Sequence, residues 1–465
     1  MQITNLNFYL FFLIVFCLYW IVPRRRWQNL VLLVSGLLFN LWISPVGVLI
    51  LILTTLIEFQ LAKRMMSAPK DKRHFWAALS LNILVLSLFK YFNFFTPAVE
   101  AALASLGLRV DSGVIQLALP IGLSFYTLRR ISYLVDIHKR TLTPSANFPE
   151  YLLYVSFFPQ LVSGPIDRAS ALLPQLQQDR MWKFEHFDSA WPLIVSGLFK
   201  KIVIADNLTI LVDKVFMLLE PTVSQLIIAT VAFSIQILAD FSAYTDLSRG
   251  LAHLLGIQTP RNFNNPFLAI SPGDFWNRWH ITLSEWLRDY IFFPLRRAWL
   301  RKSRGRNTLA AIVLPPLAAM LVSGVWHGAG WNYILWGAFH GLMLAVYQLI
   351  PGKKGLKGFW HKLPGWLIFI PLIQFSWMLF RSPSIAWLGN IFMHSPIMGT
   401  ADDLSVTLVL LTLVIFYGLV YLVKFLLDSY FQNRPIIQSV SYSIAALLIV
   451  IFLSEAARDF IYGQF

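Results

Sequence analysis

The sequence predicts an all-α, polytopic integral membrane protein, and three observations carry that prediction. Only 13% of the 465 residues are charged, against about 25% in a soluble domain. Apolar types make up 57% and mean hydropathy is +0.62, more than one core could bury behind a polar surface. Charge-free stretches recur at 1–23, 27–57, 221–239, 307–352, 363–380, 404–423 and 435–454, several of them long enough for the roughly 20 residues of a spanning helix. Length alone suggests about three soluble domains at roughly 150 residues each. The recurring apolar blocks replace that with one membrane domain over 1–465: N-terminal helices to 110, a core at 111–350 that bears the motifs, and C-terminal helices from 351.

In chain order, residues 1–23 lack a basic leader and end in Pro23-Arg24-Arg25-Arg26, not in a small-residue cleavage site; they are expected as a retained helix. The stretch 27–57 holds two passes broken at Ser44-Pro45, and 307–352 two passes broken near Gly328-Ala329-Gly330, because proline and glycine puncture helices. Apolar runs at 75–95, 115–137 and 150–166 raise the total to roughly eleven to thirteen spanning or re-entrant helices, with interfacial helices besides. The mixed-charge stretch 168–190 reads as a surface loop or an interfacial helix.

The chain has 38 Lys and Arg against 23 Asp and Glu, a net +15. These cations cluster between apolar blocks, which suits cytoplasmic loops facing anionic lipid and gives nucleic acid no separate basic domain to grip. Arg24, Arg25 and Arg26 on the cytoplasmic side send the N-terminus outside. The groups Lys63 to Arg73, Arg296 to Arg306 and Lys353, Lys354, Lys357 fit the same side, while the loops near 96–114 and 396–403 are nearly free of Lys and Arg. One cysteine, Cys17, excludes an intramolecular disulfide framework and a Cys-based metal cage.

Chemistry has to come from the polar residues. Ser271-Pro272-Gly273-Asp274 opens like a helix, with Ser as cap and Pro first. The spacing of Trp276, Trp279, Leu283 and Trp286 predicts an amphipathic helix in the interface. Its tryptophans read equally as an aromatic anchor, whereas His280, beside Trp279 and Arg278, is placed to meet a substrate. His327 lies within the charge-free stretch 307–352, where an ionisable group faces a cavity or a partner. Gly324, Gly328 and Gly330 flank it and would let a substrate approach. An imidazole titrates near neutrality, so it can take a hydroxyl proton and return it; the bland alternative is a core histidine bonded to a carbonyl. His340 lies roughly 20 Å further along a continuous helix, so local geometry does not bring it to His327, and it reads as structural. Asp240 and Tyr244 share a helix face and could orient a histidine or make structural hydrogen bonds. No HExxH, paired Cys, Walker loop or GxSxG occurs, so metal-dependent, phosphate-loop and serine-hydrolase readings have no local support.

Several blocks fall together in order: Lys90 to Phe95, Leu119-Pro120-Ile121-Gly122-Leu123-Ser124-Phe125-Tyr126-Thr127, Ile131 to Asp136, Ser163-Gly164-Pro165-Ile166, Asp240 to Asp246, Phe275 to Asp289, Trp326 to Trp331 and Phe460-Ile461-Tyr462. In them the chain resembles the membrane-bound O-acyltransferase (MBOAT) family, specifically its bacterial branch of alginate O-acetyltransferase membrane subunits and teichoic-acid D-alanyl transfer proteins. Arg129-Arg130, Ala243 and Gly330 depart from that branch. The resemblance implies the MBOAT fold, a catalytic histidine at His327, a second functional histidine at His280 and a cytoplasmic route for an acyl thioester.

The expected activity is transfer of acetyl from cytoplasmic acetyl-CoA across the bacterial inner membrane, for O-acetylation of an extracytoplasmic polysaccharide such as an alginate-like exopolysaccharide or a cell-wall glycan. Trp279, Arg278, Asn277, Trp326, Asp240, Tyr244 and Arg288 are candidate substrate-binding residues. Acetyl-CoA enters as a substrate, with no bound cofactor and no metal. A periplasmic SGNH-like acetyltransferase is the expected partner. The alternatives are D-alanyl transfer from a carrier-protein thioester toward teichoic acid, a transporter or flippase without covalent chemistry, and a structural scaffold.

Overall fold

A computed structural model describes residues 5–68, 70–106, 117, 119–350, 359–431 and 434–453. Every regular element among them is helical, because hydrocarbon offers no partner to an unpaired backbone group. Among the described residues, seven helices are long and apolar enough to cross a membrane: Pro45–Ser67, Arg73–Thr96, Val223–Leu254, Leu309–His327, Leu363–Arg381, Ala401–Tyr430 and Pro435–Phe452. Lys353, Lys354 and Lys357, residues 107–114 of the cation-poor loop, and Phe460-Ile461-Tyr462 lie outside the described residues. The chain divides into two compact units, 1–188 with 251–260, and 189–250 with 261–465.

The first unit holds α1 (Leu6–Ile21), α2 (Arg25–Ile43), α3 (Pro45–Ser67), α4 (Arg73–Ser105), α5 (Leu123–His138), α6 (Phe148–Ser156) and α7 (Ala169–Leu176). The break between α2 and α3 falls at Ser44, whose hydroxyl accepts the Gly47 N–H at 3.0 Å. Pro45 takes the first helical position, where a missing donor costs nothing. The runs at 115–137 and 150–166 prove to be short and enclosed. Helix α6 has nine residues, too few to cross a bilayer at about 1.5 Å per residue, and most of α5 and α6 is buried. In the stretch 168–190, α7 buries Leu172, Leu173 and Leu176, while Met181 and Phe184 beyond it are exposed, an apolar fringe suited to an interface.

A polar cluster ties this unit together. Glu58 sits in the apolar helix α3, where a charge needs a partner. Arg130 Nε donates to its carboxylate at 2.6 Å, Asn82 donates at 2.7 Å and the Tyr151 hydroxyl donates as well. Arg130 also donates to Thr54 at 2.8 Å. Its neighbour Arg129 donates to Gln160 and to the Pro165 carbonyl. Arg130 thus ties α5 to α3, Asn82 and Tyr151 bring α4 and α6 to the same carboxylate, and Arg129 ties α5 to the segment at Gln160 and Pro165.

Helix α8 (Phe184–Leu198) leads through a wide π-type turn, Phe199–Ala205, into α9 (Asp206–Phe216) and α10 (Val223–Leu254). The rest of the second unit is α11 (Pro272–Trp276), α12 (Ile281–Leu287), α13 (Phe293–Lys302), α14 (Leu309–His327), α15 (Trp331–Leu349), α16 (Phe359–Arg381), α17 (Ile385–His394), α18 (Ala401–Tyr430) and α19 (Pro435–Phe452). Helices α14 and α15 form a tight hairpin whose turn falls at Gly328-Ala329-Gly330, the break expected from the glycines. Close approach demands glycine here. A methyl added to Gly324 would lie 2.2 Å from the Tyr333 carbonyl oxygen, and one added to Gly337 2.4 Å from that of Met320. Small residues at such spacing let helices pack backbone to backbone in lipid.

The continuous amphipathic helix expected over 271–289 does not form. Residues Asn277 to His280 separate α11 from α12, and Trp276, Trp279 and Trp286 are buried in protein. They are core side chains, not interfacial anchors. The periodicity was real, but it reflected packing inside a protein layer, which uses the same apolar spacing as a lipid surface.

Candidate active site

Ser271 caps α11, accepting the Asp274 N–H at 3.2 Å, and Pro272 begins it. After Trp276 the chain turns back, and His280 adopts the left-handed conformation, φ 41°. A non-glycine residue there costs about 1–3 kcal/mol and persists only where its surroundings enforce it. The enforcement is visible. Ile281 N–H donates to the Asn262 carbonyl at 2.9 Å, the Asn262 side chain accepts from the Thr282 hydroxyl at 2.6 Å, and Asn264 N–H donates to the Arg278 carbonyl at 2.9 Å. The strained turn delivers His280 into the interior, fully buried, its ring 4.7 Å from Phe241 and 6.3 Å from Trp326. Burial pushes its imidazole pKa down to about 3, because a charged ring would lose its hydration. His280 is therefore neutral at physiological pH, with one N–H donor.

His327 ends α14 and is buried. Its ring lies 4.9 Å from Trp326, 5.1 Å from Trp336 and 5.4 Å from Phe380. Trp326 thus touches both His280 and His327. Trp336 plays the same part on the other side, since its ring lies 4.8 Å from His340. His340 also meets Trp276 at 5.1 Å and Phe275 at 6.2 Å. The three imidazoles and their tryptophans form one buried layer.

This corrects the expected separation of His340 from His327. The 20 Å separation assumed a continuous helix, whereas the glycine break folds α15 back on α14 and leaves one indole between the two histidines. Neither ring nitrogen of His340 has a hydrogen-bond partner among the described residues, a costly state for a buried polar group. The break at Gly328 and the Gly337-Ala338-Phe339-His340-Gly341 spacing were the signals that could have placed it. The flanking glycines also serve a different purpose from the one expected. A methyl on Gly328 would lie 2.2 Å from the Tyr333 ring, so that space belongs to Tyr333.

The other candidates divide. Trp279 packs in the same layer, 5.7 Å from Phe275 and 4.8 Å from Trp377, and Trp326 lies between two histidines. Arg278 is half-buried and donates to Asp274 at 2.6 Å. Asn277 is exposed at the end of α11. Arg288 is exposed beside Glu285 and Asp289, at 3.5 and 3.7 Å. Asp240, expected to orient a histidine or make a structural bond, accepts from Lys201 at 2.8 Å, and Tyr244 is buried on the same helix. Lys201 also reaches Asp206 at 3.0 Å. Lys201 was not singled out in the sequence because its partners lie on other helices.

The model of the membrane-bound O-acyltransferase family matches residues 41–388. The probable alginate O-acetylase AlgI of Pseudomonas aeruginosa is 32% identical over 393 residues, 83% of this chain and 74% of that protein. The peptidoglycan O-acetyltransferase of Helicobacter pylori is 32% identical over 351 residues, covering 68% of this chain and 64% of its own length. A teichoic acid D-alanyltransferase of Bacillus subtilis is 27% identical over 251 residues, 53% of this chain and 62% of its own.

Proposed function

Because the chain belongs to the membrane-bound O-acyltransferase family, and is an O-acyltransferase embedded in a membrane, we propose that it moves acetyl groups from a cytoplasmic thioester toward an extracytoplasmic polysaccharide. The observation that carries the site assignment is the buried layer in which Trp326 touches His280 and His327, and Trp336 touches His327 and His340. In this reading His327 is the base. An imidazole nitrogen takes the proton of an acceptor hydroxyl as its oxygen attacks the thioester carbonyl carbon. The carbon–sulfur bond then breaks and the imidazolium returns the proton to the departing sulfur, leaving an ester and a free thiol. Such proton transfer contributes about 10²- to 10⁴-fold. The neutral His280 offers its N–H to the carbonyl oxygen, where negative charge develops.

Acetyl-CoA is the proposed donor, used as a substrate. The exposed arginines of α13, Arg297 and Arg301, would draw its phosphates. The proposed setting is the bacterial inner membrane with the N-terminus outside, and a periplasmic SGNH-like acetyltransferase would pass the group to the glycan. The O-acetylating relatives match more of this chain than the D-alanyl ones, which favours acetyl over D-alanyl. Thiol release by the purified chain in lipid, measured with acetyl-CoA and with a D-alanyl carrier-protein thioester, tests the donor. Release from acetyl-CoA alone is the expected result, and release from the D-alanyl thioester alone overturns it.

A further inference from the structure

Two cavities in the second unit meet at Lys424. The first, about 540 Å³, is lined by Lys200, Arg249, Arg261 and Lys424 against only two carboxylates, Asp246 and Asp428. Asp246 lies against Lys200 and 3.8 Å from Arg249, and Asp428 accepts from Lys424 at 2.7 Å. Arg261 has no carboxylate partner among the described residues and lines the same cavity as Arg249. The cavity therefore carries an excess of positive charge that its own acids do not neutralise.

The second cavity, about 340 Å³, has a hydrocarbon lining apart from Lys424 and Ser441: Phe199, Phe416, Leu419, Val423, Ile444 and others. Its rim residues Leu419, Val423 and Ile444 are exposed on α18 and α19, two apolar helices of membrane-spanning length. An apolar recess open to lipid takes hydrocarbon, not water. Helix α18 has 30 residues with Asp402 and Asp403 in its first turn; at about 1.5 Å per residue it outreaches a hydrocarbon core of about 30 Å. Lys424, in the last third of that helix, comes at headgroup depth on the side opposite those aspartates.

We propose that this pair of cavities binds an anionic membrane phospholipid, its phosphate among Lys200, Arg249, Arg261 and Lys424 and one acyl chain in the apolar recess. Basic pockets between membrane helices favour such headgroups, and guanidinium groups bind phosphate oxygens through charge-assisted hydrogen bonds. A free phosphate ion would account for the first cavity alone; a phosphate attached to a chain accounts for both and for the residue they share. Asn262 lines the first cavity and also fixes Thr282 beside His280, so the occupant lies behind one wall of the histidine layer.

Delipidated full-length protein returned to nanodiscs of phosphatidylcholine mixed with phosphatidylglycerol, followed by native mass spectrometry, tests this. The expected result is phosphatidylglycerol retained about tenfold over phosphatidylcholine. Arg261→Gln, at an exposed side chain, should erase most of that preference. Val423→Trp, which fills the recess, should lower retention of both lipids several-fold. Equal retention of the two lipids, or wild-type retention in both variants, overturns the proposal. Displacement by inorganic phosphate at matched concentration would make the first cavity a soluble-anion site, and displacement by coenzyme A would make it part of the donor route; either outcome removes the lipid.

Discussion

The Glu58 cluster of the first unit and the histidine layer of the second both bury polar groups among helices, but they treat them oppositely. Around Glu58 a guanidinium, an amide and a phenol converge on one carboxylate, so the charge is compensated where it lies. In the histidine layer the neighbours are indole and phenyl rings, His280 is held on strained backbone, and the ring nitrogens of His340 go without hydrogen bonds among the described residues. The first arrangement serves stability. The second forgoes stability, with a strained turn at His280 and an unsatisfied imidazole at His340, the usual mark of a functional site.

Breaking the first cluster should therefore cost fold and spare chemistry. Arg130→Met leaves Glu58 buried without its cation and should destabilise the protein by about 3–5 kcal/mol, read as a large fall in thermal midpoint in nanodiscs. The double variant Glu58→Leu with Arg130→Met should recover much of that loss. A single Arg130→Met variant as stable as wild type would show that the buried Glu58 charge does not depend on Arg130 for its compensation.

In the other region, His340→Phe should lower turnover about tenfold or more while leaving the thermal midpoint unchanged or raised, because it removes an unsatisfied buried imidazole. A clear drop in stability with turnover intact would return His340 to the structural role its sequence position suggested. The hairpin that brings His340 to Trp336 depends on backbone contact. Gly337→Ala, whose methyl would lie 2.4 Å from the Met320 carbonyl oxygen, should cost about 1–3 kcal/mol and reduce turnover with it.

A smaller effect concerns pH. The folded pKa of His280, about 3, lies below its ordinary value of 6.5, so between these values the unfolded chain binds the extra proton. Its contribution to stability is complete above pH 6.5 and is lost as pH falls toward 3, by at most about 1.4 kcal/mol per pH unit. Thermal midpoints of native protein and His280→Gln between neutral and mildly acidic pH measure this, and the variant should show the shallower decline. Parallel declines would mean that His280 is not buried as a neutral ring.

Much of this architecture was legible in the sequence. Charge-free stretches exposed the helical membrane class, and Ser44-Pro45 and Gly328-Gly330 marked real breaks because proline and glycine act locally. His327 stood out because an ionisable side chain inside an apolar stretch is costly wherever the chain folds. The break before His280 was not legible, since Trp276, Trp279 and Leu283 keep helical spacing across it and the bonds to Asn262 that enforce the turn come from another segment. Nor could local spacing show that a hairpin sets His340 against the indole that His327 touches. The pairing of Lys201 with Asp240, 39 residues apart, is likewise a tertiary fact.

The proposed acyl transfer at the histidine layer depends on His327 as its base. The most direct test is the initial rate of labelled acetyl transfer from acetyl-CoA to acceptor by the protein with its partners in lipid, comparing native chain with His327→Ala at matched thermal stability. A fall of about 10²-fold or more is the predicted result. A well-folded His327→Ala protein that transfers acetyl at the native rate would exclude His327 as the base.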